Sequence, residues 1–411
     1  MWWIIILCVV AKSIHAVDKA IYENYKLFSV IPRNESQLDL LKLLRNTNNI
    51  GVSFWREPSV MNREIDIMVP PHKLSDLSEI LGKIGAPYDI KIHNIQKLID
   101  NTTFTNQSNG FDFKNYHTLE DIYDYLENLT KLYPKKVEII VGGTTFEGRE
   151  IRGVKVTFHE ENPGVFIEGG IHAREWIATS TVLYILDQLL TSNDSEVRRI
   201  AESHNWYIFP SFNPDGYVFT HTQDRLWKKT LKPSSPFCIG SDPNRNWGFE
   251  WNTSGTNNDP CSEMYPGSKP FSEIETKSLS EYIWSNLDNF YVYIAFHSFS
   301  QLLLFPYGYR EECMFFHEDL FRVGRIAIEA LKKRHGTQYA VGCFNELYSE
   351  YSGSSTDFIA LYKNIVFTYE LRDKGNYGFL LPPEQIIPTG EETLDSLMAL
   401  LNEIMAYFNR N

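Results

Sequence analysis

The sequence predicts an α/β fold: a mixed, mostly parallel sheet with helices on both faces, preceded by a small ferredoxin-like α+β unit. Three observations predict it. Short period-two and leucine-spaced segments alternate over the first hundred residues. A polar stretch rich in Asn, Thr and Ser interrupts the pattern. Beyond it, strand and helix signals alternate over roughly three hundred residues.

Taken in order, Tyr25 to Ile31 reads as a strand, Leu38 to Leu44 as a helix, and Val52 to Trp55 and Ile65 to Val69 as strands. Leu74 to Ile84 then reads as a helix and Tyr88 to Ile92 as a strand. Ile65-Asp-Ile-Met-Val69 alternates with period two, as a strand should. The resulting βαββαβ order spans about eighty residues. The stretch from Asn101 to Gly110 is an exposed connector. After it come strands at Val137 to Val141, Arg152 to Phe158 and Val165 to Glu168, a helix from Trp176 to Leu190, and a strand from Trp206 to Phe212. The expected divisions are 1–16, a removable signal; 17–100, the small unit; 101–110, the connector; and 111–411, the large domain.

With 411 residues, 43% hydrophobic and 14% aromatic, the chain can bury a large core. A net charge of −13 without any basic tract speaks against nucleic acid or an anionic membrane as partner. The apolar start, Met1-Trp-Trp-Ile-Ile-Ile-Leu-Cys-Val-Val, is too short to cross a bilayer. It leads to Ser13-Ile-His-Ala16, a small-residue cleavage site, so secretion is expected. Cys8 would leave with the signal. Cys238, Cys261, Cys313 and Cys343 remain, an even number suited to disulfides in an oxidising compartment. Glycosylation triplets begin at Asn34, Asn101, Asn106, Asn128, Asn193 and Asn252.

Chemistry enters with His172-Ala-Arg-Glu175, an imidazole and a carboxylate three residues apart, just past the glycine-rich end of an apolar strand. Alone this spacing is a weak signal. A second histidine, His297, ends the apolar run Tyr291-Val-Tyr-Ile-Ala-Phe, and strand ends are where sites assemble in open α/β sheets. Two neutral imidazoles and one carboxylate would hold one Zn²⁺ per chain and leave a fourth position for water. Glu370 ends another apolar run, Asn364-Ile-Val-Phe-Thr-Tyr, so a carboxylate also stands at a strand end.

Several ordered blocks carry a resemblance. They are Phe54-Trp-Arg-Glu-Pro, Tyr116-His-Thr-Leu-Glu-Asp-Ile, the His172/Glu175 element, Asn213-Pro-Asp-Gly-Tyr, Asn244-Arg-Asn-Trp, His297-Ser-Phe-Ser-Gln-Leu-Leu-Leu, Glu370-Leu-Arg-Asp and Tyr377-Gly-Phe-Leu-Leu-Pro. At this order the chain resembles a zymogen of the pancreatic-type zinc carboxypeptidases, the A/B subfamily of the funnelin metallopeptidases. The resemblance implies a secreted enzyme that removes the last residue of a peptide or protein. It makes the small unit an activation pro-domain, covering the cleft until a trypsin-like protease releases it, with Lys97 the expected point. It implies a monomer.

Residue by residue, the resemblance assigns His172, Glu175 and His297 to zinc, and Asp242 to holding the outer N–H of His172. Glu370 becomes the base that later passes the proton to the leaving amine. Asn244 and Arg245 would hold the terminal carboxylate, a planar guanidinium gripping it bidentately. Arg174 would contact the substrate backbone one residue further in, and Ser298 would line the same groove. The resemblance also pairs Cys238 with Cys261, and Cys313 with Cys343.

Two departures stand out. The usual oxyanion-stabilising arginine is Lys228, which keeps the charge and loses the fork. The tyrosine that caps bound substrate aligns with Ser349 without gaps, and with Tyr348 after one compensated shift; Tyr348 is the expected cap. At the base of the side-chain pocket stands Thr356, with Leu304 and Gly308 as neutral walls. A C-terminal Lys or Arg would find no counter-ion there, so aliphatic or aromatic ends are expected. A catalytically silent carboxypeptidase-like binding protein is the alternative, raised by Lys228 and the shifted tyrosine. An amidase acting on internal bonds would leave Asn244 and Arg245 with no carboxylate to hold.

Overall fold

The computed structural model describes residues 19–46, 51–103 and 110–408. The signal segment with Cys8, the Asn106 triplet and most of the connector lie outside the described residues. In the small unit, β1 (Lys26–Val30), β2 (Ser53–Arg56), β3 (Ile65–Val69) and β4 (Tyr88–Ile92) form one sheet in the order β2-β3-β1-β4. All its pairings are antiparallel. Phe28, Phe54, Ile67 and Val69 face a core shared with Leu41, Leu77 and Leu81 of the two helices, Glu35–Asn46 and Leu74–Ile84.

All five residues of β3 are buried, although its sequence alternates. The reason is that both faces of this sheet are covered. Leu27, Trp55, Met68 and Ile92 point the other way and pack with Leu226, Phe299, Phe379 and Leu380 of the large domain. Asp66 lies on that second face, fully buried between Arg56 and Lys91 at 3.4 Å each.

Part of the expected connector is helical: Ile95–Thr103 forms a helix that buries Ile95, Ile99 and Thr102. Those residues recur at helical spacing, and the seam they form joins the same interdomain cluster through Ile95 and Ile99. The polar side chains of Asn101 and Thr103 only mark its outer face.

The large sheet has eight strands: β5 (Val137–Thr144), β6 (Glu150–Val156), β7 (Gly164–Gly169), β8 (Asn205–Phe209), β9 (Phe290–Ser298), β10 (Leu302–Phe305), β11 (Ala340–Cys343) and β12 (Ile365–Leu371). Their order is β11-β10-β12-β9-β7-β8-β6-β5. The four central strands β12, β9, β7 and β8 run parallel, and antiparallel pairs occur towards the edges. β7, β9 and β12 are buried along almost their whole length, which is why they read as continuous apolar runs. The long helix Ile386–Phe408 packs on helices His317–His335 and Trp176–Thr191.

From β7 the chain proceeds to β8 on one side, and later returns as β9 on the other side of β7. The connections therefore diverge at the carboxyl end of β7 and open a crevice there, the usual place for a ligand in an open α/β sheet. Cys238 is joined to Cys261, and Cys313 to Cys343, with Cα separations of 5.0 and 5.9 Å.

Candidate active site

The crevice is built by three strand ends. β7 stops at Gly169, and Gly170 takes a left-handed φ of +67°; a Cβ there would meet Thr179 Oγ1 at 2.7 Å. Only glycine turns the chain in that space. The turn carries His172 and ends at Glu175, just ahead of the helix from Trp176. Glu175 makes no capping bond to that helix, so its carboxylate faces the histidines instead.

His172 Nδ1 lies 2.8 Å from Glu175 Oε1, and His297 Nδ1 lies 3.1 Å from Glu175 Oε2. One donor atom from each residue falls within 4.8 Å of the others, and all three side chains are buried. Two imidazole nitrogens and a carboxylate converging on one point is the donor set of an open catalytic zinc site. β9 brings His297, and β12 runs parallel beside it with Glu370 opposite His297 in the register. Sheet geometry alone thus sets the acid next to the triad. Glu370 Oε2 is buried without a hydrogen-bond partner, an unmet demand at the place where a reacting proton would sit.

Electrostatics follow burial and pairing. Burial opposes ionisation of Glu175, but the two imidazoles beside it hold its carboxyl below the usual range. Burial pushes Glu370 up, repulsion from Glu175 adds to this, and His297, Lys228 and Arg245 only partly oppose it. Asp242 is buried too, yet Lys228, His172 and Arg245 keep it well below the ordinary carboxylate value.

Asp242 ties the cluster together. Its Oδ1 lies 3.1 Å from His172 Nε2, so the nitrogen facing Glu175 is the other one. Its Oδ2 accepts from Lys228 Nζ at 2.6 Å, and the Arg245 guanidinium stands 4.0 Å away. Lys228 lines the crevice while its ammonium is engaged by Asp242. Arg245 donates to the carbonyls of Asn244 at 2.8 Å and Gly255 at 3.2 Å, which orients its fork. Asn244 accepts from the Ser355 backbone at 3.0 Å, and its amide lies 3.5 Å from His297 Nε2.

Arg174 lies over the Phe379 ring and forms a double contact with Glu263, both bonds at 3.2 Å. Ser298 donates its backbone N–H to Glu175 at 3.2 Å and leaves its hydroxyl buried without a partner. Tyr348 lines the crevice with these residues; Ser349 does not. Thr356 is buried outside the crevice lining, and Tyr351 occupies that wall.

The remaining wall comes from the small unit: Phe54, Trp55 and Glu57 line the same crevice as His172, Glu370 and Arg245. Ser53 Oγ donates to Glu263 at 3.1 Å, and Arg63 donates to the Glu346 carbonyl at 2.8 Å. Phe54-Trp-Arg-Glu-Pro was visible in sequence as a block, but nothing in its residue types says which side chain enters a cleft. Glu263, Tyr351 and Thr368 also line the crevice and carried no signal of their own.

Comparison with known proteins is consistent along the chain. A family model described as zinc carboxypeptidase matches residues 122–396, and one described as carboxypeptidase activation peptide matches residues 28–102. The chain is 44% identical over 415 residues to zinc carboxypeptidase A 1 of Anopheles gambiae, covering 98% of this chain and 96% of that protein. It is 36% identical over 390 residues to carboxypeptidase A2 of Mus musculus, covering 92% and 93%. The crystal structure of carboxypeptidase A from Helicoverpa armigera superposes with a TM-score of 0.85 at 26% identity, covering 93% of this chain and 98% of that one.

Proposed function

The chain belongs to the zinc carboxypeptidase family and carries its activation peptide, and on that premise we propose a secreted exopeptidase that releases a neutral C-terminal residue. The observation that carries the reading is the convergence of His172, Glu175 and His297, with Glu370 in register beside them and one of its oxygens unpartnered. In this reading the first three hold the zinc, which when bound acidifies water and polarises the scissile carbonyl.

The chain's own groups do the rest. Asn244 and Arg245 receive the free carboxylate of the substrate, the guanidinium already oriented by two backbone carbonyls. That grip places the last peptide bond next to Glu370, which takes a proton from the attacking water and delivers it to the departing amine. Lys228 adds positive charge near the oxyanion, while Asp242 keeps His172 in one tautomer. Tyr348 closes over the bound residue, and Arg174 holds the backbone further in.

Activation consists of removing the small unit, whose Trp55 and Glu57 stand in the crevice. Cleavage at Lys97, exposed on its helix, is the proposed step. Two disulfides and exposed glycosylation triplets at Asn34, Asn101, Asn128 and Asn193 support secretion. Among the described residues no helix is long and apolar enough to cross a membrane. We take the working unit to be a monomer.

The test uses trypsin-treated protein and N-blocked dipeptides differing only in the last side chain. Release of neutral C-terminal residues, abolished by a chelator and restored by Zn²⁺, is the expected outcome. Faster release of Lys or Arg than of neutral residues would overturn the specificity, and chelator-insensitive or absent release would overturn the mechanism.

A further inference from the structure

Resting on the exopeptidase reading above, we propose that Tyr351 sets the depth of the side-chain pocket, restricting the released residue to short uncharged side chains and excluding Phe, Tyr and Trp. Tyr351 and Thr368 line the crevice that contains His172, Glu370 and Arg245. Leu304, Gly308 and Thr356, the neutral walls expected for that pocket, do not line it. Tyr351 fills the space among them.

The packing shows how. A Cβ on Gly308 would come within 2.7 Å of the Tyr351 ring, so the ring occupies the room that this glycine leaves. Leu304 and Phe344 join Tyr351 in one apolar cluster, with the Phe344 ring edge-on at 4.8 Å. The Arg245 guanidinium lies over the Tyr351 ring at 4.5 Å. Behind the ring, the side chains of Thr356 and Ser354 lie close enough to act on its hydroxyl, yet none completes a hydrogen bond with it.

The ring is also anchored. Tyr351 N donates to the Gly308 carbonyl at 3.0 Å, and the next residue, Ser352, donates to the Ser254 carbonyl at 3.1 Å. Gly308 is in turn held by Asp357, which accepts its N–H at 3.0 Å. With its backbone bonded on both sides and only 2% of its surface exposed, Tyr351 is a wall of the pocket. An aromatic substrate side chain needs the volume that this ring already fills, and close-packed interiors do not accept both.

The experiment compares kcat/KM of trypsin-activated wild type, Tyr351→Phe and Tyr351→Ala on N-blocked dipeptides ending in Ala, Val, Leu, Phe and Trp. Wild type should favour Ala and Val over Phe by at least tenfold. Tyr351→Phe, which keeps the ring, should preserve that ratio. Tyr351→Ala should shift it towards Phe by about 10- to 100-fold, the usual range for pocket-size discrimination.

Wild type that prefers Phe or Trp would overturn the proposal, as would a Tyr351→Ala change that scales all substrates equally, for that would mean the ring only supports Arg245. If Tyr351→Ala does not fold, wild type and Tyr351→Phe still decide the size preference. If no C-terminal residue is released from any substrate, the exopeptidase reading has failed on its own. Calorimetric binding of the same dipeptide acids then ranks pocket size without turnover, and equal or tighter binding of the Phe acid overturns the proposal.

Discussion

The reactive half of the crevice and its recognition half are built differently. His297 and Glu370 sit on neighbouring parallel strands, paired in register, and Glu175 precedes a helix that starts at the end of a third strand. The recognition half rests on the connection between β11 and β12, where Tyr348 and Tyr351 lie in irregular chain after the short helix Phe344–Leu347, and Thr356 follows in the helix Ser355–Ile359. Strand register leaves a side chain one direction to point, whereas a loop residue is placed only by what it packs against. Under the proposed roles, chemistry belongs to the sheet and selectivity to the connection between β11 and β12.

Changing the reactive half should therefore cost rate on every substrate, and the largest effect is expected from Glu370→Gln. Loss of the general base should lower kcat by about 10²- to 10⁴-fold with little change in KM or in bound zinc. Steady-state kinetics and metal analysis of the activated variant check this. A small loss would mean that register alone does not make Glu370 the base.

Lys228→Ala should cost less than the 10²- to 10³-fold typical of a removed oxyanion donor, because Arg245 remains near and Asp242 already engages the lysine. Undiminished kcat would assign Lys228 to Asp242 alone. Because the ammonium is buried against Asp242, a loss of thermal stability should accompany the kinetic change.

The smallest effect lies outside both halves and sharpens the comparison by leaving chemistry untouched. Glu275, beside the turn between β5 and β6, accepts from Phe146 N at 2.9 Å, but burial raises its pKa from 4.5 to about 7. Since the folded value is the higher one, its contribution to stability is complete below pH 4.5 and declines as pH rises through about 7. The loss is on the order of 3 kcal/mol at most. Glu275→Gln should flatten unfolding free energy against pH over that window and leave the specificity ratios unchanged. An unaltered pH profile would show that the group does not titrate there.

How much was legible follows the same division. Continuous apolar runs gave β7, β9 and β12 within a residue or two, because strands buried on both faces have no other composition available. His172 and Glu175 were legible only together with His297 at a distant strand end, since their spacing alone is a weak signal, and Glu370 by standing at the end of another apolar run. The helix Ile95–Thr103 runs three residues into the stretch that composition marks as connector, because its apolar seam is narrow and faces another domain. The period-two reading of β3 was right about the strand, but its second face is buried because a second domain covers it.

By itself the sequence determined the fold class, the residues able to bind a metal, a glutamate at the end of a neighbouring strand and the cysteines, since each depends on residue type within a local pattern. Only the tertiary structure decided which aromatic side chains line the crevice, what engages Lys228 and Arg174, and which face of the small unit enters it. Those outcomes depend on volumes and charges brought together from distant segments, and no local period encodes the space left by a glycine elsewhere in the chain.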